Sequence, residues 1–190
     1  AEATAGDIRY KDLDENGVID ERDRTYLGDP IPDYTFGINI AIKFRQFDFS
    51  SYAFASLGHE MVRNYERVQL YTNRLDYYIE RWRGEGTSST VPRLTTKPTA
   101  NSVLSDFFIE DSSFVRLQNI QLGYSLSNSL LEKMKIDNLR FYITAENLIT
   151  LTKYKGYDPA ASSGTPIGGG IDNGFYPIPV TLTAGLNLKF

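Results

Sequence analysis

The feature that most constrains this sequence is an apolar residue at every second position through several long stretches. The clearest stretch is 34–44, where the alternating residues are Phe36, Ile38, Ile40, Ile42 and Phe44. Because successive side chains of a strand point to opposite sides of a sheet, this alternation predicts strands with one apolar face. It recurs at 47–57, 114–126, 139–146 and 178–190, so we expect an all-β fold of five antiparallel strands.

The third stretch changes phase part-way along. Val115 and Leu117 are apolar at odd positions, whereas Ile120 and Leu122 are apolar at even ones. One extra residue in a strand produces such a change, so the pattern predicts a β-bulge near residues 118–119. The alternative is a strand whose upper part leaves the apolar zone.

The connections between the stretches alternate between short and long. Residues 45–46 and 127–137 are short connections, whereas 58–112 and 147–178 are long ones. Short turns at one end and long loops at the other are typical of the wall of a transmembrane β-barrel. Strands of about eleven residues, tilted by about 40°, span about 28 Å, which is close to the apolar band of an outer membrane.

Five strands are fewer than the minimum of about eight that closes a membrane barrel. We therefore expect residues 34–190 to be the C-terminal segment of a larger barrel, with 1–33, 58–112 and 147–178 as extracellular loops. The alternative is a soluble antiparallel sandwich or up-and-down barrel, in which the same alternation buries one face in a core. Its function would be that of an extracellular binding or adhesion module with a calcium-stiffened loop.

Within residues 58–112 the apolar period changes to that of a helix. The stripe recurs every three or four residues and comprises Met61, Tyr65, Val68, Tyr71, Leu75, Tyr78 and Trp82. This spacing predicts an α-helix in the loop, ended by Gly84. Its aromatic face is more often a packing surface, although Tyr78 and Trp82 are also candidates for contact with a sugar ring or a partner protein.

Residues 12–23 carry oxygen-bearing side chains at the spacing of a calcium-binding loop. The ligand positions are Asp12, Asp14, Asn16, the Val18 carbonyl, Asp20 and Asp23, with Gly17 at the sharp turn. Calcium prefers oxygen ligands, so the motif predicts a structural Ca²⁺ in segment 1–33. Asp23 stands where Glu is usual and no amphipathic helix precedes Asp12. The alternative is therefore a turn whose side chains bond their own backbone.

Composition excludes several classes of function. With 20 Lys and Arg against 24 Asp and Glu, and no basic cluster, the sequence predicts no nucleic-acid partner. The chain has no Cys and a single histidine, His59, which excludes disulfides and multi-histidine metal centres. No phosphate-binding or acid–base motif is present, so we expect neither an enzyme nor an organic cofactor.

Six motifs follow one another along the chain. They are residues 6–20 (GDIRYKDLDENGVID), 28–37 (GDPIPDYTFG), 114–124 (FVRLQNIQLGY), 138–148 (NLRFYITAENL), 156–159 (GYDP) and 176–179 (YPIP). In this order they closely resemble the SusC/RagA family of TonB-linked outer-membrane transporters. The final residues, which include Gly185, Leu186, Leu188 and Phe190, resemble the C-terminal signal that the barrel assembly machinery recognises.

The resemblance implies a roughly 22-stranded barrel in the outer membrane of a Bacteroidetes-like cell. In this family TonB supplies energy through an N-terminal plug, which this sequence lacks, and a SusD-like surface lipoprotein closes over the substrate. The expected partners are therefore this lipoprotein, TonB, membrane lipids and the remaining barrel and plug. The substrate is a glycan or a peptide, and candidate contacts on the polar face are Tyr52, Arg116, Tyr142 and Glu146. The alternative, which we favour for most of these residues, is that they contact the plug or water.

Overall fold

The described residues form two β-sheets, one of five strands and one of three. The computed structural model describes residues 3–68, 74–96, 99–161 and 169–190. The strands of the larger sheet are β1 (Tyr34–Phe44), β2 (Phe47–Leu57), β5 (Phe114–Ser125), β6 (Asn138–Thr152) and β8 (Thr181–Lys189). They lie side by side in this order and every neighbouring pair is antiparallel. The all-β class and the five antiparallel strands predicted from the alternation are confirmed.

One face of the larger sheet is apolar across all five strands. Because paired residues share a face, the register defines rows, and two of them are Phe44–Phe47–Tyr124–Phe141–Leu186 and Ile42–Phe49–Leu122–Ile143–Ala184. Ile38 is 61% exposed and Leu182 is 75% exposed, so the described residues provide no cover for this face. In a soluble protein a core would bury such side chains, whereas in a membrane lipid would cover them.

The predicted β-bulge lies at Gln118. On the β2 side, Tyr52 pairs with Asn119 and Ala53 pairs with Leu117, which leaves Gln118 unpaired. The extra residue keeps Val115 and Leu117 on the same face as Ile120, despite their opposite parity. The prediction from the phase change is confirmed.

The short connections close the sheet at one end. Residues 45–46 form a two-residue turn in which Arg45 has a φ of 53°. Helix α2 (Asn128–Met134) joins β5 to β6, and Lys135 ends it in the left-handed conformation at a φ of 56°. We call the opposite end of the sheet, where the long connections lie, the loop end.

Strand β6 is longer than the sequence predicts. Residues 147–152, assigned above to the loop 147–178, continue the strand to Thr152. The alternation is interrupted at Asn147, which has a φ of 53°, and resumes with Ile149 opposite Leu117 and Leu151 opposite Val115. The local irregularity hid the second half of the strand.

A second, three-stranded sheet lies among the long connections and was not predicted. It comprises β3 (Glu60–Arg63), β4 (Ile109–Asp111) and β7 (Ile171–Asp172), in the order β4-β3-β7. Met61 of this sheet packs with Tyr154, Ala161 and the half-buried Phe175 in a small apolar core. Strands β3 and β4 therefore give the described parts of 58–112 regular structure of their own.

The single helix predicted from the stripe 61–82 is wrong at both ends. Met61 lies in β3, the described part of α1 is Asn64–Val68, and Trp82 lies outside any helix, two residues after a 3-10 turn at Asp76–Glu80. Tyr71 lies outside the described residues. Strand pairing with β4 and β7 overrides the helical spacing at the start of the stripe. Across the described ranges, no helix is both long enough and apolar enough to cross a membrane.

Candidate functional site

Three of the predicted calcium ligands meet in segment 1–33. Carboxylate oxygens of Asp12, Asp14 and Asp23 all lie within 4.8 Å of one another. Gly17, with a φ of 83°, makes the sharp turn and donates its N–H to Asp12 at 2.7 Å. The loop thus gathers three hard oxygen donors of the kind that Ca²⁺ takes.

The other predicted ligands have different partners. Asp20 caps the 3-10 turn Glu21–Asp23 and pairs with the Arg22 guanidinium, whose hydrogen bond lowers the pKa of Asp20. Asn16 donates to Asp14 at 2.8 Å and its side-chain oxygen accepts from the N–H of Val18. The backbone N–H groups of Asp20 and Leu13 lower the pKa of Asp23, because they bond its ionised form.

The candidate substrate contacts on the polar face lie in three different rows of the large sheet. Tyr52 and Glu146 both pair with Asn119, so they share one row across β2, β5 and β6. Tyr142 lies nearer the short connections, in the row of Asp48 and Gly123. The structure therefore places Tyr52 and Glu146 in one row, on either side of Asn119, and Tyr142 in another.

Arg116 is committed to a buried ion pair at the loop end. Its guanidinium donates to Asp158 at 2.6 Å and to the Thr150 hydroxyl at 2.9 Å, and Arg116 is only 4% exposed. Burial raises the pKa of Asp158, but hydrogen bonds from the Ala160 N–H and from Arg116 outweigh it, so the pKa lies below its usual range. Arg116 therefore anchors the GYDP motif to the sheet rather than presenting a free cation to a substrate.

Tyr142 has a structural neighbour that the sequence did not reveal. A Cβ on Gly185 would lie 2.5 Å from the Tyr142 hydroxyl, so the phenol lies over the glycine. The Arg140 guanidinium stands 5.3 Å from the Tyr142 ring centroid and pairs with Asp48. Gly185 thus makes room for an aromatic side chain in addition to its place in the terminal motif. Leu186 and Leu188 also lie in β8, and the exposed Phe190 follows it.

Trp82 and Tyr78 differ in accessibility. Tyr78 is 6% exposed and packs against Tyr77, at a centroid separation of 4.7 Å, as the packing interpretation expects. Trp82 lines a cavity of about 560 Å³ together with Asp7, Arg9, Ser88 and Phe107, among others. The Trp82 ring packs on Gly6, where an added Cβ would approach Cε3 to 2.3 Å. The cavity combines an aromatic ring with both charges and a hydroxyl.

The sequence patterns did not reveal a cluster of buried charged side chains within the long connections. Arg63 and Glu66 have almost completely buried side chains and form an ion pair, and the Arg63 Nε lies 3.1 Å from a carboxylate oxygen of Glu110. Asp172 is fully buried and accepts from the Tyr154 hydroxyl at 2.8 Å. One feature of the sequence could have indicated it. Arg63 is two residues from the apolar Met61, so in a strand both side chains point to the same, inward side.

Relatives of known identity resemble the chain over almost its whole length. It is 36% identical to the TonB-dependent receptor P3 of Formosa agariphila and 30% identical to the TonB-dependent receptor SusC of Bacteroides thetaiotaomicron, each over 95% of the chain. The chain is homologous to part of a SusC-like TonB-dependent receptor. It covers 19% of receptor P3 and 17% of SusC, so it spans about a fifth of the curated relatives it matches. No protein-family model matches it.

Solved structures agree with this assignment. The RagAB peptide importer in the "open-open" state matches 84% of the chain with a TM-score of 0.66 and 28% identity, and 17% of that importer chain is covered. The RagAB peptide transporter gives the same TM-score. The family predicted from the motifs is confirmed. The matched proteins are TonB-dependent receptors and a peptide importer, and the expected outer-membrane location and non-enzymatic role agree with this assignment.

Proposed function

We propose that this chain forms part of the barrel wall and the extracellular connections of a TonB-dependent importer of a large nutrient, an oligosaccharide or a peptide. The observation that carries the proposal is the five-stranded sheet with one exposed apolar face in a chain homologous to SusC. Lipid would cover that face and the polar face would line the barrel interior. A barrel of roughly 22 strands is the size that the family resemblance predicts.

The proposed partners follow from the same homology. A SusD-like surface lipoprotein would close over the loop end, and TonB would act through a plug outside this sequence. The remaining barrel strands would pair with the outer edges of β1 and β8, which have no neighbour among the described residues. Unpaired strand edges do not persist in a membrane, because their N–H and C=O groups need partners. The barrel assembly machinery would recognise the terminal motif.

The cavity beside Trp82 is the proposed outer contact for the nutrient. Its aromatic ring offers a stacking surface, and its hydroxyl and charged groups offer hydrogen bonds. The aromatic ring and the hydroxyl favour an oligosaccharide slightly over a peptide. Tyr52, Tyr142 and Glu146 would contact the substrate deeper along the polar face.

Uptake measurements test this function. Cells that lack the receptor are complemented with the parent receptor or its Trp82→Ala variant, and uptake of labelled oligosaccharides and peptides is compared with and without TonB. We expect uptake of one class to fall at least tenfold without the receptor or TonB, and Trp82→Ala to weaken it. Tyr176→Ala, which removes a 90% exposed aromatic ring outside the cavity, is the matched control. Unchanged uptake of both classes would refute import.

We also propose a structural Ca²⁺ held by Asp12, Asp14 and Asp23 in segment 1–33. Support comes from the convergence of their carboxylates and from the Gly17 turn. Asn16, the Val18 carbonyl and Asp20 would complete the ligand set after Asp20 exchanges Arg22 for the ion. Calorimetric titration of the receptor should show calcium binding that the Asp12→Ala/Asp14→Ala pair abolishes. The Glu15→Ala/Glu21→Ala pair should retain it. No calcium heat with the parent receptor would overturn the proposal.

A further inference from the structure

The small sheet joins connections that are far apart in the sequence. Strand β3 pairs with β4 from the other end of the first long connection and with β7 from the second. The Val62 N–H donates to the Gly170 carbonyl at 2.7 Å. Segment 1–33 joins the same strand, because the Glu60 N–H donates to the Asp29 carbonyl at 2.8 Å and the Glu60 carboxylate accepts from the Asp29 N–H at 2.9 Å.

Arg63 is the central charged group of this assembly. Its guanidinium pairs with Glu66 and Glu110, donates to the Tyr77 hydroxyl, and donates to the Phe107 carbonyl at 2.6 Å. Its side chain is only 2% exposed. These partners all lie in the first long connection, and two of them, Phe107 and Glu110, are distant from Arg63 in the sequence. Moving β3 away from β4 would take both of them from a buried charge, which is costly.

Asp172 and Tyr154 hold the second long connection in place. Asp172 of β7 is fully buried and accepts from the Tyr154 hydroxyl and from the Gly174 N–H, each at 2.8 Å. Tyr154 follows β6 directly and also belongs to the small apolar core with Met61 of β3. Moving β7 away would therefore expose a buried carboxylate and open the core under β3.

Segment 1–33 has a second attachment near its start. The Asp7 carboxylate, whose side chain is 3% exposed, accepts from Arg93 at 2.8 and 3.0 Å and from Asn101 at 3.0 Å. The Ile8 N–H donates to the Asn101 side-chain oxygen at 2.8 Å. This segment is therefore fixed to the first long connection at two places far apart in its sequence.

We propose that the three connections at the loop end open and close as one cooperative unit around β3, which Arg63 holds in place from within the first long connection. The unit comprises the described parts of 3–33, 58–113 and 153–178. The pairing of β3 with the other two segments, together with the contact of the buried Asp7 carboxylate with Arg93, makes partial opening costly. Each segment therefore remains protected only while the others are in place. Coupling of this kind would pass a displacement of one connection to the other two, and it does not depend on import.

Hydrogen exchange with mass spectrometry on the intact receptor in detergent tests the proposal. Arg63→Met removes the charge that holds β3 in place, and Arg24→Met removes an exposed arginine of segment 1–33 whose ion pair with Glu21 is largely in solvent. We expect Arg63→Met to speed exchange at least tenfold in all three connections, including residues 26–33 and 169–175, while β5 and β6 stay protected. Arg24→Met should leave exchange outside its own turn unchanged.

A second variant changes a residue of β7 in the second long connection, and it tests the proposal even if Arg63→Met does not fold. Asp172→Asn keeps the size of the side chain but removes its charge from β7. Faster exchange in 26–33 and 58–68, as well as near β7, would support one cooperative unit. Faster exchange confined to the connection that carries the substitution, in either variant, would overturn the proposal.

Discussion

At the scale of single residues, the Tyr142 ring occupies the space where a side chain at position 185 would lie, so the terminal motif needs a glycine there. The Gly185→Ala methyl group would lie 2.6 Å from Cζ of Tyr142, so the phenol must move. We expect a loss of about 1–3 kcal/mol in the free energy of unfolding, the range for overpacked sites. Urea unfolding of the receptor in detergent measures it. Gly185→Ala should cost much less in a Tyr142→Ala background, and an equal cost there would contradict the contact.

Asp7 gives a second test at this scale, through its pKa. The Arg93 guanidinium holds the pKa of Asp7 well below its usual range, against the opposing effect of burial. Because the folded value lies below the unfolded value of about 4, the stabilisation is complete above about pH 4. It is lost as the pH falls through the lower folded value.

Asp7→Asn should therefore destabilise the receptor near neutral pH by about 1–3 kcal/mol and flatten its stability profile below pH 4. Thermal melting between pH 2 and pH 7 measures both effects. Glu21→Gln removes an exposed carboxylate whose ion pair is largely in solvent, so it should leave the profile unchanged. A profile for Asp7→Asn that parallels the parent would show that Asp7 does not stabilise the fold through its charge.

At the scale of elements, the bulge at Gln118 keeps the apolar face of β5 continuous. Deleting Gln118 would turn Val115 and Leu117 to the polar face, because side chains alternate along a strand. We expect the deletion to lower the fraction of folded, heat-modifiable receptor in the outer membrane several-fold. Gln118→Ser keeps the chain length and should fold normally. Equal folded fractions for the deletion and the parent would mean that the register tolerates the shift.

The sequence was sufficient for the large sheet and insufficient for the small one. Strands β1, β2, β5 and β8 follow from alternation, because each has one face that must be apolar throughout. Strands β3, β4 and β7 are two to four residues long and depend on pairing between distant segments, so no local pattern marks them. The helical stripe misled for the same reason, since tertiary pairing decided the conformation at Met61.

The candidate sites divide in the same way. The acidic loop was predictable because Asp12, Asp14 and Gly17 are close in sequence and their geometry is local. The partner of Arg116 was not, because Asp158 lies 42 residues away and only the fold brings the two together. Trp82 was recognised as a candidate, but the cavity around it forms from segment 1–33 and the chain near Ser88.

At the scale of the whole molecule, the proposed barrel wall requires that the apolar face of the large sheet contacts lipid and that the opposite face does not. The sequence has no Cys, so single cysteines for spin labels can be introduced one at a time along β1 at Ile38, Asn39, Ile40, Ala41 and Ile42. The intact receptor, with any other cysteine replaced, is reconstituted in bilayers. The accessibility of each label to oxygen and to a water-soluble nickel complex is then measured.

The labels at 38, 40 and 42 should be accessible to oxygen and shielded from the nickel complex, because oxygen concentrates in the bilayer. The labels at 39 and 41 should be shielded from oxygen. A period of two along β1 in the bilayer would support the barrel wall. Nickel accessibility without alternation, or recovery of the protein in the aqueous phase without detergent, would contradict it and favour a soluble extracellular binding module.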